Sequence, residues 1–198
     1  MTVQQDMSRA ARLRMATHTT HEALDQSIMA ARPFDSVANY GRFLKVQHAF
    51  HRDVSPLYHV SALRDLIPDL GQRERVAAVT QDVADLGTDL PDYPEPPAGE
   101  TLDLPEALGW LYVVEGSNLG AAFLFRAALN MGLSASHGAR HLADAPEGRA
   151  AQWRAFKAAL DAAELSPAEE ARVVTGARAA FARVRALVAE HLQPCQSA

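Results

Sequence analysis

Cysteine is nearly absent. The 198 residues hold one, Cys195, close to the C-terminal end, so an internal disulfide, a cysteine-based zinc site and a positioned thiol nucleophile are not expected. Alternating Val, Ile and Thr runs are also scarce, which removes the period-two signal of sheets. No charge sign dominates: 19 Lys and Arg face 24 Asp and Glu, for a net charge of -5. That balance lacks the broad basic surface that nucleic acid or anionic lipid requires, so neither is expected as a partner. The N-terminal MTVQQDMSRAARLRM lacks the uninterrupted apolar core of a secretory signal, and the expected location is cytoplasmic. The most apolar stretch, 107–125, carries Glu115, Gly116, Ser117 and Asn118 at its centre. It reads as a buried helix, with no membrane span.

What is abundant is Ala, Leu, Arg and Glu at helical spacing, with 48% hydrophobic residues overall. The expectation is one all-helical domain over 1–198, with 1–7 and 193–198 as flexible tails. Ser8 caps a first helix to about residue 30, in which Leu13, Thr17, Thr20, Leu24 and Ile28 recur every three or four residues. A second helix starts after Asp35 or Ser36 and runs to Pro56; shorter pieces follow at about 58–67 and 72–86. The segment 88–103 holds four prolines and reads as a long loop inside one core. Asp103 with Pro105 opens a helix over 104–131 that Gly132 ends; 145–163 is a further helix. Ser166-Pro167-Ala168-Glu169 is a capping box for a final helix to about His191.

Two features suggest chemistry. Gly116 and Gly120 sit four apart on one helix face beside Ser117 and Asn118. Each interior glycine costs about 1 kcal/mol relative to alanine, so something must approach that backbone. Tight helix packing is the commoner explanation; a kink that frees carbonyls for water or ligand is the other. Among eight histidines, His21 lies at the edge of the first helix's apolar stripe, whereas His18 projects outside it. Arg14 lies two turns before His21 on nearly the same side. An imidazole with a cation along the helix suits a planar ligand carrying a metal at its centre and carboxylates on its rim. His48 and His51, with Asp53 nearby, form another spacing able to bind metal, but no Glu-x-x-His of the di-iron bundles occurs.

The chain resembles the haem oxygenase family over nearly its whole length, most closely the compact bacterial members. Leu13-Arg14-Met15-Ala16-Thr17 followed by His21-Glu22-Ala23-Leu24-Asp25 looks like the family's proximal helix. Leu111-Tyr112-Val113-Val114-Glu115-Gly116-Ser117-Asn118-Leu119-Gly120 looks like its distal helix. The resemblance implies haem, both cofactor and substrate, between the first helix and a kinked glycine-rich central one. His21 would ligate the iron, Gly116, Ser117, Asn118 and Gly120 would form the distal catalytic face, and Arg14 and Tyr112 would bind at the rim. The implied reaction opens the ring at a meso carbon with O2 and electrons from a reductase or ferredoxin, giving biliverdin, CO and Fe2+. It would serve iron release or supply a bilin to an acceptor such as a phytochrome. No acid lies between Gly116 and Ala122, so distal water would rest on Asn118 or carbonyls, and Glu115 has no evident direction. The final helix offers Arg172, Arg178, Arg183 and Arg185 around Phe181 for a second propionate. A haem carrier or sensor that does not degrade its ligand, a thiaminase-like enzyme needing a cysteine, and a purely structural module are the other readings.

Overall fold

A computed structural model describes residues 7–93 and 95–192. Cys195 and the 193–198 tail lie outside the described residues, as do 1–6 of the N-terminal tail. Seven α-helices follow in order: α1 Arg9–Ala30, α2 Val37–Val54, α3 Ser61–Leu66, α4 Val76–Asp85, α5 Leu104–Asn130, α6 Arg149–Ala162 and α7 Pro167–His191. Among the described residues there is no strand, only isolated bridges at Ser134.

The long helices begin where local chemistry supplies acceptors for their first N–H groups. The Ser8 hydroxyl accepts from the amide of Ala11, Ser36 from Asn39, and the Asp103 carboxylate from Glu106. Ser166 and Glu169 form the reciprocal box expected of them. Between α2 and α4 the chain is more broken than the periodicity predicts: 3₁₀ turns at Ser55–His59 and Leu70–Arg73 flank the short α3. Helix α6 starts at Arg149, later than residue 145, because Gly148 takes a left-handed φ of 84° just before it.

The core is built around Tyr40, Phe43, Leu44, Leu108, Leu111, Phe156 and Val173, drawn from four helices and fully shielded. The first turns of α7 gather the N-terminal parts of α1 and α5. Arg9, buried on α1, forks onto Glu170 and reaches the carbonyl of Ala163, while Arg12 bonds the same carboxylate at 2.9 Å. On α5, a Cβ at Gly109 would lie 2.5 Å from the backbone nitrogen of Ala177, and one at Gly176 of α7 only 2.8 Å from Cα of Glu106. This glycine pair lets two backbones touch.

Helix α5 changes character along its length. Leu108, Leu111, Val114 and Glu115 are buried, whereas Leu119, Phe123 and Leu129 beyond them are 39%, 66% and 47% exposed. It is long and apolar enough to cross a membrane, but its first half lies inside the bundle.

Candidate functional site

On α1, at roughly 100° per residue, Arg14, Thr17 and His21 fall within about 60° of one another, beside the buried line of Leu13 and Leu24. On α5, Tyr112, Gly116, Gly120 and Phe123 share one stripe by the same count. Tyr112 lies within electrostatic reach of Arg14 and Thr17, which brings the two stripes near one another at that level. Burial pushes the Tyr112 phenol above its ordinary range, while the Arg14 cation and the Thr17 hydroxyl pull the other way. Past that contact α1 and α5 do not pack on one another in any extended way. Helical spacing thus places His21 on the stripe of one helix and Gly116 and Gly120 on the stripe of the other.

The α5 stripe is bare. A Cβ on Gly120 would meet nothing within 4 Å, and one on Gly116 would meet only the ring of Trp153 at 3.8 Å. Close packing, the commoner explanation for such a glycine pair, is therefore not the explanation here; Gly109 and Gly176 have that role. Trp153 of α6 closes one end, 5.8 Å from the Tyr112 ring. Leu119 and Phe123 leave apolar surface uncovered around the glycines.

On the α1 stripe, Nδ1 of His21 lies 3.2 Å from the Asp25 carboxylate one turn on. A hydrogen bond there sets the tautomer that leaves Nε2 with a lone pair, and no described residue bonds that nitrogen. The ring also rests against Phe181 of α7, centroids 5.8 Å apart at 80°. His18 points elsewhere, toward Glu22.

Other candidates are committed elsewhere. The Ser117 hydroxyl donates back to the carbonyl of Val114 at 2.7 Å, and Asn118 lies roughly 200° round the helix from Gly116, so neither side chain joins the bare stripe. Glu115 points behind α5, accepting from Arg73 at 2.8 Å; burial raises its carboxyl against the pull of that guanidinium. His48 stacks on Tyr93 and bonds its hydroxyl, and Asp53 takes Arg183 at 2.6 Å. His51 is enclosed with His141 and Arg75 nearby, its imidazole pushed down to about 3 by burial first and by those basic neighbours second. Arg172 pairs with Asp103, so of the final-helix arginines Arg178 and Arg185 stay exposed, flanking Phe181. Among the described residues no cluster of three His, Cys, Asp or Glu could hold a metal ion. A groove of about 420 Å³ lined by Arg12, Met15, Ala16 and Val174 lies on the opposite side of α1 from His21.

Sequence reasoning left Asp25 without a role and passed over Trp153, Leu119 and Phe123. Only Asp25 carried a local signal, its i+4 spacing from His21.

The family model for haem oxygenase matches residues 7–190. The chain belongs to the haem oxygenase family. It is 43% identical over 175 residues to haem oxygenase PigA of Pseudomonas aeruginosa, covering 88% of each chain. A haem oxygenase of Xanthomonas campestris is 33% identical over 124 residues, 62% of this chain and 72% of that one. The NO- and CO-bound haem oxygenase of Neisseria meningitidis superimposes with a TM-score of 0.89 at 41% identity, covering 97% of this chain and 96% of that one. The Leptospira interrogans enzyme, at 18% identity and TM-score 0.73 over 93% of this chain and all of that one, bears on the fold alone. This haem oxygenase is thus an all-helical enzyme, as its motifs predicted.

Proposed function

We propose that the enzyme seats haem between α1 and α5 and cleaves it at a meso carbon to biliverdin, CO and Fe2+, using O2 and electrons from a reductase or ferredoxin. The observation that carries this reading is the pair of stripes: an imidazole with a free ring nitrogen on α1 and, on α5, a glycine surface that only Trp153 approaches among the described residues. The residues present fit the ligand. Nε2 of His21 has no partner among the described residues, and a flat apolar molecule would cover Leu119 and Phe123, whose exposure is otherwise a cost.

When bound, haem supplies the iron that activates dioxygen and is itself the molecule oxidised. His21 would hold the iron through Nε2, with Asp25 on Nδ1 keeping the tautomer and raising the basicity of the ligating nitrogen. Arg14, close enough to Tyr112 to act on its phenol, would take one propionate as a charge-assisted pair. Arg178 and Arg185 are the final-helix cations left for the other. The main chain at Gly116 and Gly120, with no side chain to intrude, would leave room for the flat ring and its small ligand while limiting the height available to them. Glu115 is held behind the helix by Arg73, so the stripe presents no carboxylate able to pass a proton directly across it. Ordered water hydrogen-bonded to main-chain carbonyls of α5 would fill that role.

The product serves iron release or bilin supply in the cytoplasm, with a phytochrome as one acceptor. The test is a hemin titration followed by turnover with ascorbate or a ferredoxin system. One haem per chain, a histidine-ligated spectrum lost in His21→Ala, and biliverdin by chromatography are expected. Haem left intact after prolonged reduction would instead make this a carrier, and an unchanged His21→Ala spectrum would remove the ligand assignment.

A further inference from the structure

His21 stands on the outer part of α1 with 57% of its side chain exposed, and its Asp25 partner is 60% exposed. An exposed pair one turn apart on a helix is weak and is screened by salt. Asp25 therefore selects which nitrogen carries the proton without fixing where the ring points. The buried group in contact with the imidazole is Phe181, only 4% exposed and edge-to-face with it at 80°. Its position relative to α1 is set from elsewhere, because Arg9 and Arg12 tie the start of α1 to Glu170 on the same helix α7.

Resting on the haem-ligand reading above, we propose that Phe181 is a positioning residue for His21: a fixed aromatic wall that holds the imidazole in its ligating rotamer and sets the plane of the ring. T-shaped aromatic contact favours one orientation. A histidine χ1 otherwise has three staggered wells, and a ligand that needs one of them binds more weakly by the fraction of time that well is occupied. Removing the wall weakens haem binding by up to about threefold by that arithmetic. It also lets the imidazole plane vary, which the g-values of the low-spin ferric complex report.

The experiment compares the wild type, Phe181→Leu, Phe181→Tyr and His21→Ala. In the haem-free protein, NMR of ¹⁵N-histidine-labelled samples is expected to show one His21 rotamer in the wild type, averaged couplings in Phe181→Leu, and recovery in Phe181→Tyr, which keeps a ring. In the ferric complex, Phe181→Leu is expected to broaden the g-values and, in an equilibrium hemin titration, to weaken binding by up to about threefold, with melting close to wild type. A single rotamer and wild-type g-values in Phe181→Leu overturn the proposal. If His21→Ala keeps the wild-type spectrum, the ligand reading itself has failed. If only the Phe181 arms are flat, the positioning role alone has failed.

Discussion

The two halves of α5 contain the same kind of residue in opposite circumstances. Gly109 is a glycine because the backbone of α7 occupies the place of its Cβ, whereas Gly116 and Gly120 have little or nothing there. The first half of the helix is buried against α7, and the second leaves Leu119 and Phe123 to solvent. A glycine on an interior helix position lowers stability in both places, but only at Gly109 is that cost offset by packing inside the protein. At Gly120 no packing among the described residues offsets it, which is the gap the proposed ligand would fill. That difference separates the part of α5 that builds the fold from the part proposed above to meet the haem.

The boundary between the halves is Glu115, and cutting its anchor gives the largest expected effect. Arg73→Leu strands a carboxylate that is 3% exposed, and loss of one partner of a buried pair costs about 3–5 kcal/mol. Urea unfolding measures this; a change below about 1 kcal/mol would mean that the pair does not anchor α5. Next, Gly109→Ala or Gly176→Ala forces a methyl into a neighbouring backbone and is expected to destabilise by about 3 kcal/mol, the upper part of the overpacking range.

Acid should weaken the bundle beneath the packed half. His51 is neutral in the folded protein, its value depressed from 6.5 to about 3 by burial. The unfolded chain binds that proton first, so stability is full above about pH 6.5 and falls as pH drops toward 3. The loss from this residue is about 1.4 kcal/mol per pH unit once the unfolded histidine is charged. His48 and His141, also depressed chiefly by burial, act in the same direction. Melting curves at pH 7.5 and 5 check this, and equal midpoints would contradict it.

The smallest effect has the opposite sign. Gly120→Ala should stabilise the haem-free protein by about 1 kcal/mol through helix propensity while weakening haem binding. A destabilised haem-free Gly120→Ala protein would place this glycine with Gly109 and erase the contrast between the halves.

Local chemistry was legible in the sequence. The caps at Ser8, Ser36, Asp103 and Ser166 each depend on residues within three positions, and all form as expected. The region between α2 and α4 was harder, because the ends of 3₁₀ turns and the short α3 are decided by packing rather than period. At the candidate site, the spacing of His21 and Arg14 and the two motifs pointed to α1 and α5, the helices on which the proposed function rests. The roles of the glycines were not legible, since Gly109 and Gly120 differ only in what lies across from them, and the partner, Gly176, is 67 positions from Gly109. Glu115 was unreadable for the same reason: its direction is set by Arg73, 42 residues away. Phe181 showed in sequence only as an aromatic among arginines; its contact with His21 depends on how α7 lies on α1.

A crystal structure of the enzyme grown with hemin tests the account most directly. It should show iron bonded to Nε2 of His21 and the tetrapyrrole lying on the main chain of Gly116 and Gly120, with Tyr112 at its rim. Iron held by another side chain, or haem seated away from the bare half of α5, would contradict it.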